Sequence, residues 1–122
     1  MRAQQFGAWG ESVAAEHLHS KGLQILTRNW RCEEGEIDLI ALDGDTIVIV
    51  EVRTRASDVF GTAEESVTPR KRSRLQRTAL AYLDAEDRVD ATWRIDVVAI
   101  DADRSGKVKS IEHYVNAIEG EY

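Results

Sequence analysis

A tight turn at Asp43-Gly44-Asp45, set between two β-prone runs, predicts a hairpin near the middle of this chain. Glycine and aspartate tolerate the positive φ that a short hairpin turn demands. The flanking runs, residues 36–42 and 46–54, carry the branched and apolar side chains of strands. The second run starts apolar on both faces, the pattern of a strand covered from both sides, which places it at the centre of a sheet.

The rest of the chain is organised around that hairpin. Phe6, Trp9, Val13, Ala14 and Leu18 recur at helical spacing within residues 6–21, and Gly22 is a natural stop. Residues 23–31 read as a first strand, joined by the turn Cys32-Glu33-Glu34-Gly35 to the strand at 36–42. A loop with Gly61 spans residues 56–67. Thr68 followed by Pro69 is a helix cap with proline at the first helical position, opening a helix to about residue 86 that buries Leu75, Ala79, Tyr82 and Leu83. Residues 93–100 form a fourth strand, and a turn at 103–106 leads to a last one at 107–114. The order is α-β-β-β-α-β-β, an α/β chain with an antiparallel meander at its centre and helices packed on the sheet.

The chain has 122 residues, 43% of them hydrophobic, with no repeat or low-complexity tract, so a single domain over 1–122 is expected. No basic region and apolar run follow Met1, so no signal peptide is expected. The longest apolar-rich stretch, 47–50, is far short of a membrane span, so no membrane partner is expected. Cys32 is alone and can form neither an internal disulfide nor a paired thiolate zinc site, which points to a reducing, cytoplasmic setting.

A net charge of −6 argues against a protein that coats nucleic acid, but the distribution says more. Between 53 and 77 stand Arg53, Arg55, Arg70, Lys71, Arg72, Arg74 and Arg77 against three acids, while residues 84–122 hold ten acids and five bases. One segment can thus face a polyanion while the remainder stays acidic. Five of these cations crowd the first half of a helix, where the macrodipole disfavours them. A phosphate backbone would offset that cost. A solvated face near Glu64 and Glu65 accounts for them equally well on the residues alone.

Side-chain alternation puts Glu36 and Asp38 on one strand face, with Ile37 and Leu39 on the other. On the next strand Ile47, Ile49, Glu51, Arg53 and Arg55 share a face. Six positions separate Asp38 from Gly44 and seven separate Gly44 from Glu51, so a regular hairpin brings these carboxylates together. Neighbouring carboxylates repel unless a proton or cation lies between them, and Mg²⁺ is bound by such pairs with water and phosphate. Either acid alone fits a solvated ion pair with an arginine. Two acids and a cation converging at the ends of apolar strands weigh against that. Glu11 lies on the flank of its helix's buried stripe, where a site role and a solvent role are equally open. His17, His19 and His113 lack metal-ligand spacing, and Cys32 sits between acids that disfavour a thiolate.

Gly10-Glu11 with Ala14, Gly22, Arg28-Asn29, Gly35-Glu36-Ile37-Asp38-Leu39-Ile40, Val50-Glu51-Val52-Arg53-Thr54-Arg55 with Gly61, and Arg94-Ile95-Asp96-Val97-Val98 together resemble the YraN-like uncharacterised protein family. The resemblance reaches Asn116-Ala117 and so spans nearly the whole chain. That family is similar to a branch of the PD-(D/E)XK nuclease superfamily, near the archaeal Holliday-junction resolvases. The resemblance implies a restriction-endonuclease-like αβββαβ core, a central mixed sheet flanked by helices. It also implies Mg²⁺ (or Mn²⁺) held by Glu11, Asp38 and Glu51, with Arg53 in the position of the superfamily's catalytic lysine. Arginine stays charged there and can only donate. The expected function is a Mg²⁺-dependent endonuclease acting on DNA, branched or otherwise structured, with Arg55, Arg70, Lys71, Arg72 and Arg74 contacting it. The alternative is a non-catalytic nucleic-acid-binding or assembly module of the same fold. A homodimer is open under either reading.

Overall fold

A computed structural model of the chain describes residues 3–56, 67–103 and 105–118. Most of the expected loop, with Gly61, lies outside the described residues, as do Glu64, Glu65 and Arg104. The elements follow the expected order. Helix α1 spans Ala3–Ser20, strand β1 Gln24–Cys32, β2 Gly35–Asp43 and β3 Thr46–Ala56, followed by helix α2 at Pro69–Ala85, β4 at Trp93–Ala102 and β5 at Val108–Tyr114.

Local chemistry explains the boundaries. α1 ends where Gly22 takes φ +94°, with the Leu23 amide donating to the Leu18 carbonyl and the Gly22 amide to the His19 carbonyl. That paired closure satisfies carbonyls that the helix end would otherwise orphan. Gly44 turns the β2–β3 hairpin at φ +59°. Thr68 caps α2, its hydroxyl accepting from the Lys71 amide at 3.3 Å, with Pro69 following.

The five strands form one mixed sheet in the order β1-β2-β3-β4-β5, antiparallel except for the parallel β3–β4 pair. The crossover between those parallel strands contains α2, and α1 covers the other face. β3 is central and alternates as its sequence requires. Ile47 and Ile49 pack toward α2 with Leu75, Ala79 and Leu83, and Val48 and Val50 pack toward α1 with Ala14 and Leu18. Each fully buried aliphatic side chain here contributes about 1.5–3 kcal/mol. Among the described residues no helix is long and apolar enough to cross a membrane.

The expected alternation fails within β2. Ile37 joins the α2-side core and Leu39 the α1-side core, although two residues apart in a strand they should share a face. β1 breaks at the same height. Trp30 packs edge-on against Tyr82 on the α2 side, whereas Arg28 reaches α1, donating to Ser12 Oγ at 3.1 Å. Arg28 pairs with Leu39 and Trp30 with Ile37, and between them Asn29 takes φ +55°. Asparagine adopts this left-handed backbone more readily than most residues, so its presence lets the pleat switch faces here. The residue across from Asn29 is Asp38.

A buried ionic group ties the far side of β4 together. Asp96 is fully buried and accepts from Arg94 Nε at 3.0 Å, His113 Nε2 at 2.7 Å and the Asn116 amide at 2.8 Å. Arg94 also donates to Asp43 Oδ2 at 3.0 Å, which links β4 to the end of β2. Burial alone would raise the Asp96 pKa. The hydrogen bonds from His113, Arg94 and Asn116 outweigh it and hold the carboxyl below its ordinary value.

Candidate active site

The β2–β3 ladder runs from Asp43↔Thr46 to Leu39↔Val50 and then stops. The next rung would set Asp38 against Glu51, the pair expected from counting outward from Gly44. Instead the strands part, and the Val52 amide donates to Asp38 Oδ2 at 2.8 Å. A side-chain carboxylate thus takes the place of a backbone acceptor, which keeps β3 satisfied where it leaves β2. The gap between the strands is the site.

Asp38, Glu51 and Arg53 border two cavities, one on each side of that gap. The first, of about 290 Å³, is completed by Glu36 and by Lys71 and Arg74 of α2. The second, of about 330 Å³, is completed by Phe6, Gly7 and Glu11 of α1 and by Thr54. They form two arms of one cleft, cationic toward α2 and partly aromatic toward α1. Asp38 serves both because it sits at the break in the pleat.

Two glycines set the helices in place. A Cβ at Gly10 would overlap Thr54 Oγ1, so only glycine lets α1 approach β3 closely enough to bring Glu11 over the cleft. Gly35 takes φ +154°, and a Cβ there would lie 2.8 Å from Thr78 Oγ1 and 3.0 Å from Arg74 Nε. Its absence lets the β1–β2 turn rest on α2, where Arg74 Nε donates to the Glu34 carbonyl at 2.9 Å. Arg28 steadies the start of α1 through Ser12 and the Ala8 carbonyl, with Glu11 Oε1 3.9 Å from its guanidinium.

Oxygens of Glu11, Glu36 and Asp38 lie within 4.8 Å of one another. Burial and then the charge of Glu51, helped by Glu11 and Glu36, push Asp38 up to about 7 despite the Val52 hydrogen bond. Burial also raises Glu51, against the pull of Arg53 and Lys71. A cluster of hard carboxylate oxygens that holds a proton to near neutrality is a donor set that fits a hard divalent cation.

The expected residues therefore divide. Glu11 and Asp38 converge on the cleft, together with Glu36, which the sequence reading set on Asp38's face without giving it a role. The signal for Glu36 was its spacing of two from Asp38 on a strand. Glu51 lines the cleft beside Asp38, with Oε1 3.5 Å from Arg53 Nη1. Lys71 and Arg74 reach the cationic arm. Arg55 is held by Asp101 at 2.7 Å, Arg72 donates to the Val67 carbonyl at 3.0 Å, and Arg70 is exposed in the first turn of α2.

Known proteins share this sequence closely. A UPF0102 protein of Pelotomaculum thermopropionicum is 47% identical over 111 residues, covering 91% of this chain and 92% of that protein. One from Roseiflexus castenholzii is 46% identical over 119 residues, covering 97% and 96%, and one from Mycolicibacterium smegmatis is 50% identical over 103 residues, covering 83% of each. A solved structure, that of Pyrococcus furiosus SfsA in complex with Ca²⁺, aligns with a TM-score of 0.37 at 14% identity. That alignment covers 96% of this chain and 65% of SfsA, and it is too loose to carry an argument. Residues 10–100 match the uncharacterised protein family UPF0102, the YraN-like family that the motifs resemble. This chain belongs to the UPF0102 family.

Proposed function

We propose that the chain is a Mg²⁺-dependent endonuclease-like protein acting on DNA. The observation that carries this reading is the split between β2 and β3, which sets Asp38 and Glu51 in one cleft with Glu11, Glu36, Lys71 and Arg74. Asp38, Glu11 and Glu36 would hold the cation, with Glu51 beside them. Bound there, Mg²⁺ would lower the pKa of its water and neutralise charge at the phosphate. Arg53 stays charged and donates to the scissile phosphate, stabilising the charge that develops on it. Lys71 and Arg74 grip neighbouring phosphates from α2. Glu11 and Glu36 approach Asp38 from α1 and from its own strand, so the cation would be held between two elements, with Glu51 of β3 beside it.

The Glu51–Arg53 contact favours a second reading, a nucleic-acid-binding or assembly module that keeps the fold without turnover. Labelled four-way-junction and single-stranded DNA separate the two. Cleavage that needs Mg²⁺ or Mn²⁺ and stops with chelator is the result expected of the nuclease. Tight junction binding with no cleavage in either metal assigns the chain to the binding module.

The cationic arm yields its own expectation. Replacing Arg70, Lys71, Arg72 and Arg74 together by alanine should flatten the dependence of log affinity for DNA on log salt. With Lys71 and Arg74 as the phosphate contacts, the slope should fall by about 2. An unchanged slope in a titration series would mark these residues as a solvated face.

A further inference from the structure

The α1 arm of the cleft carries a feature that phosphate chemistry does not use. Phe6 borders it, half-buried, five residues before Glu11 on α1 and in the same cavity as Asp38, Glu51 and Arg53. Its ring stacks on that of Trp9, centroids 5.5 Å apart and planes inclined by 11°. Trp9 in turn packs against the α1-side core, so the outer ring stands on an anchored one. The rest of the wall is mostly polar, with Glu11, Asp38, Glu51, Arg53 and Thr54 beside Gly7 and Val52. An anchored aromatic ring at the edge of a mostly polar cleft that also holds an arginine is an arrangement on which nucleobases stack. Every base offers a π-face, but a base is available for stacking only where it is not held in a continuous duplex.

We propose that Phe6, backed by Trp9, is a stacking platform for an unpaired base beside the scissile phosphate, and that the substrate class is DNA with an unpaired nucleotide at the cleavage point. This rests on the DNA-directed reading above and narrows it. Bulges, gaps and single-stranded branches fit. An uninterrupted duplex and a fully paired four-way junction do not, because neither offers the base that Phe6 would hold.

The test is a fluorescence titration of the full chain in Ca²⁺ with three DNA probes. One duplex carries 2-aminopurine as an unpaired bulge, one carries it fully paired, and the third is a fully paired four-way junction. The unpaired probe should bind at least about tenfold tighter than the paired duplex, with its fluorescence changed by stacking. Phe6→Ala should lose that preference, weakening the bulged probe by about five- to a hundredfold and leaving the paired duplex unchanged. Phe6→Leu keeps apolar bulk on Trp9 and so preserves the packing of α1 but has no π-face, and it should behave like Phe6→Ala. Phe6→Trp should restore both preference and fluorescence change. If the wild type binds paired and unpaired probes equally, or the leucine variant keeps the preference, the Phe6 assignment is overturned while DNA binding stands. If the wild type binds no probe, the DNA-directed reading falls and the platform with it.

Discussion

Asp38→Asn is expected to abolish metal-dependent cleavage and, in the same molecule, to stabilise the metal-free protein. Asparagine keeps the volume, and its carbonyl oxygen can still accept from the Val52 amide. What would be lost is the negative charge that holds the proposed cation at the reacting phosphate. Metal stabilisation of charge is worth several kcal/mol, so activity should fall by about 10³-fold or more. Stability moves the other way because Asp38 is buried beside Glu51, Glu11 and Glu36, which hold its pKa up at about 7.

A carboxyl raised above its unfolded value makes the folded chain bind more protons than the unfolded one between those two values. Stability therefore falls as pH rises through that window and is lowest above about pH 7. Asparagine removes this penalty, with an expected gain of about 2–3 kcal/mol near pH 8 and much less at about pH 5. Mg²⁺ should raise the melting temperature of the wild type in the same alkaline range, since it competes with the proton, and should do little for the variant. Thermal melts with chelator or Mg²⁺ at the two pH values, alongside the cleavage assay, measure all of this. Wild-type cleavage by the variant, or no rise in its alkaline melting temperature, would remove Asp38 from the centre of the site.

Asp96→Ala should produce the largest loss of stability. Asp96 is the fully buried, shared acceptor for Arg94, His113 and the Asn116 amide. Removing one partner of a buried ionic group leaves the others unpaired, at a cost of about 3–5 kcal/mol. For a chain of this size that corresponds to a melting temperature lower by roughly 10–20 °C. Asp96→Asn should cost less, since its oxygen can still accept. The pH dependence has the opposite sign to that of Asp38. A carboxyl held below its ordinary value contributes stability above about pH 4 and loses it as acid titrates through the folded value. The calorimetric measurement is a comparison of both variants with wild type near neutral pH. An alanine variant that melts within a few degrees of wild type would show that the group is not holding the sheet.

Residue pattern and spacing were enough to locate the secondary structure. Gly22, Gly44, Thr68 and Pro69 act through their own backbone preferences, and the alternation of Ile47 to Val50 fixes β3 at the sheet's centre whatever surrounds it. Counting from Gly44 likewise pointed to the height on the sheet at which the β2–β3 ladder ends and both Asp38 and Glu51 line one cleft. The motifs also identified the family.

The cleft itself required the folded chain. Regular alternation placed Ile37 with Leu39, and that expectation failed because Asn29 turns left-handed across from Asp38 and the strands part there. Only this break explains why one carboxylate faces both helices, and no count along a strand contains it. Glu36 joins Glu11 because Gly10 admits α1 against Thr54, a contact between segments more than forty residues apart. Likewise, the sequence supplied a run of cations, but packing decided their use. Lys71 and Arg74 face the cleft, while Arg55 and Arg72 are drawn to Asp101 and to the Val67 carbonyl. Local conformation is set by each residue's own sterics and hydrogen bonding and can be read from short windows. The site is set by which side chains the packed sheet and helices bring within a few ångströms, and that depends on long-range closure.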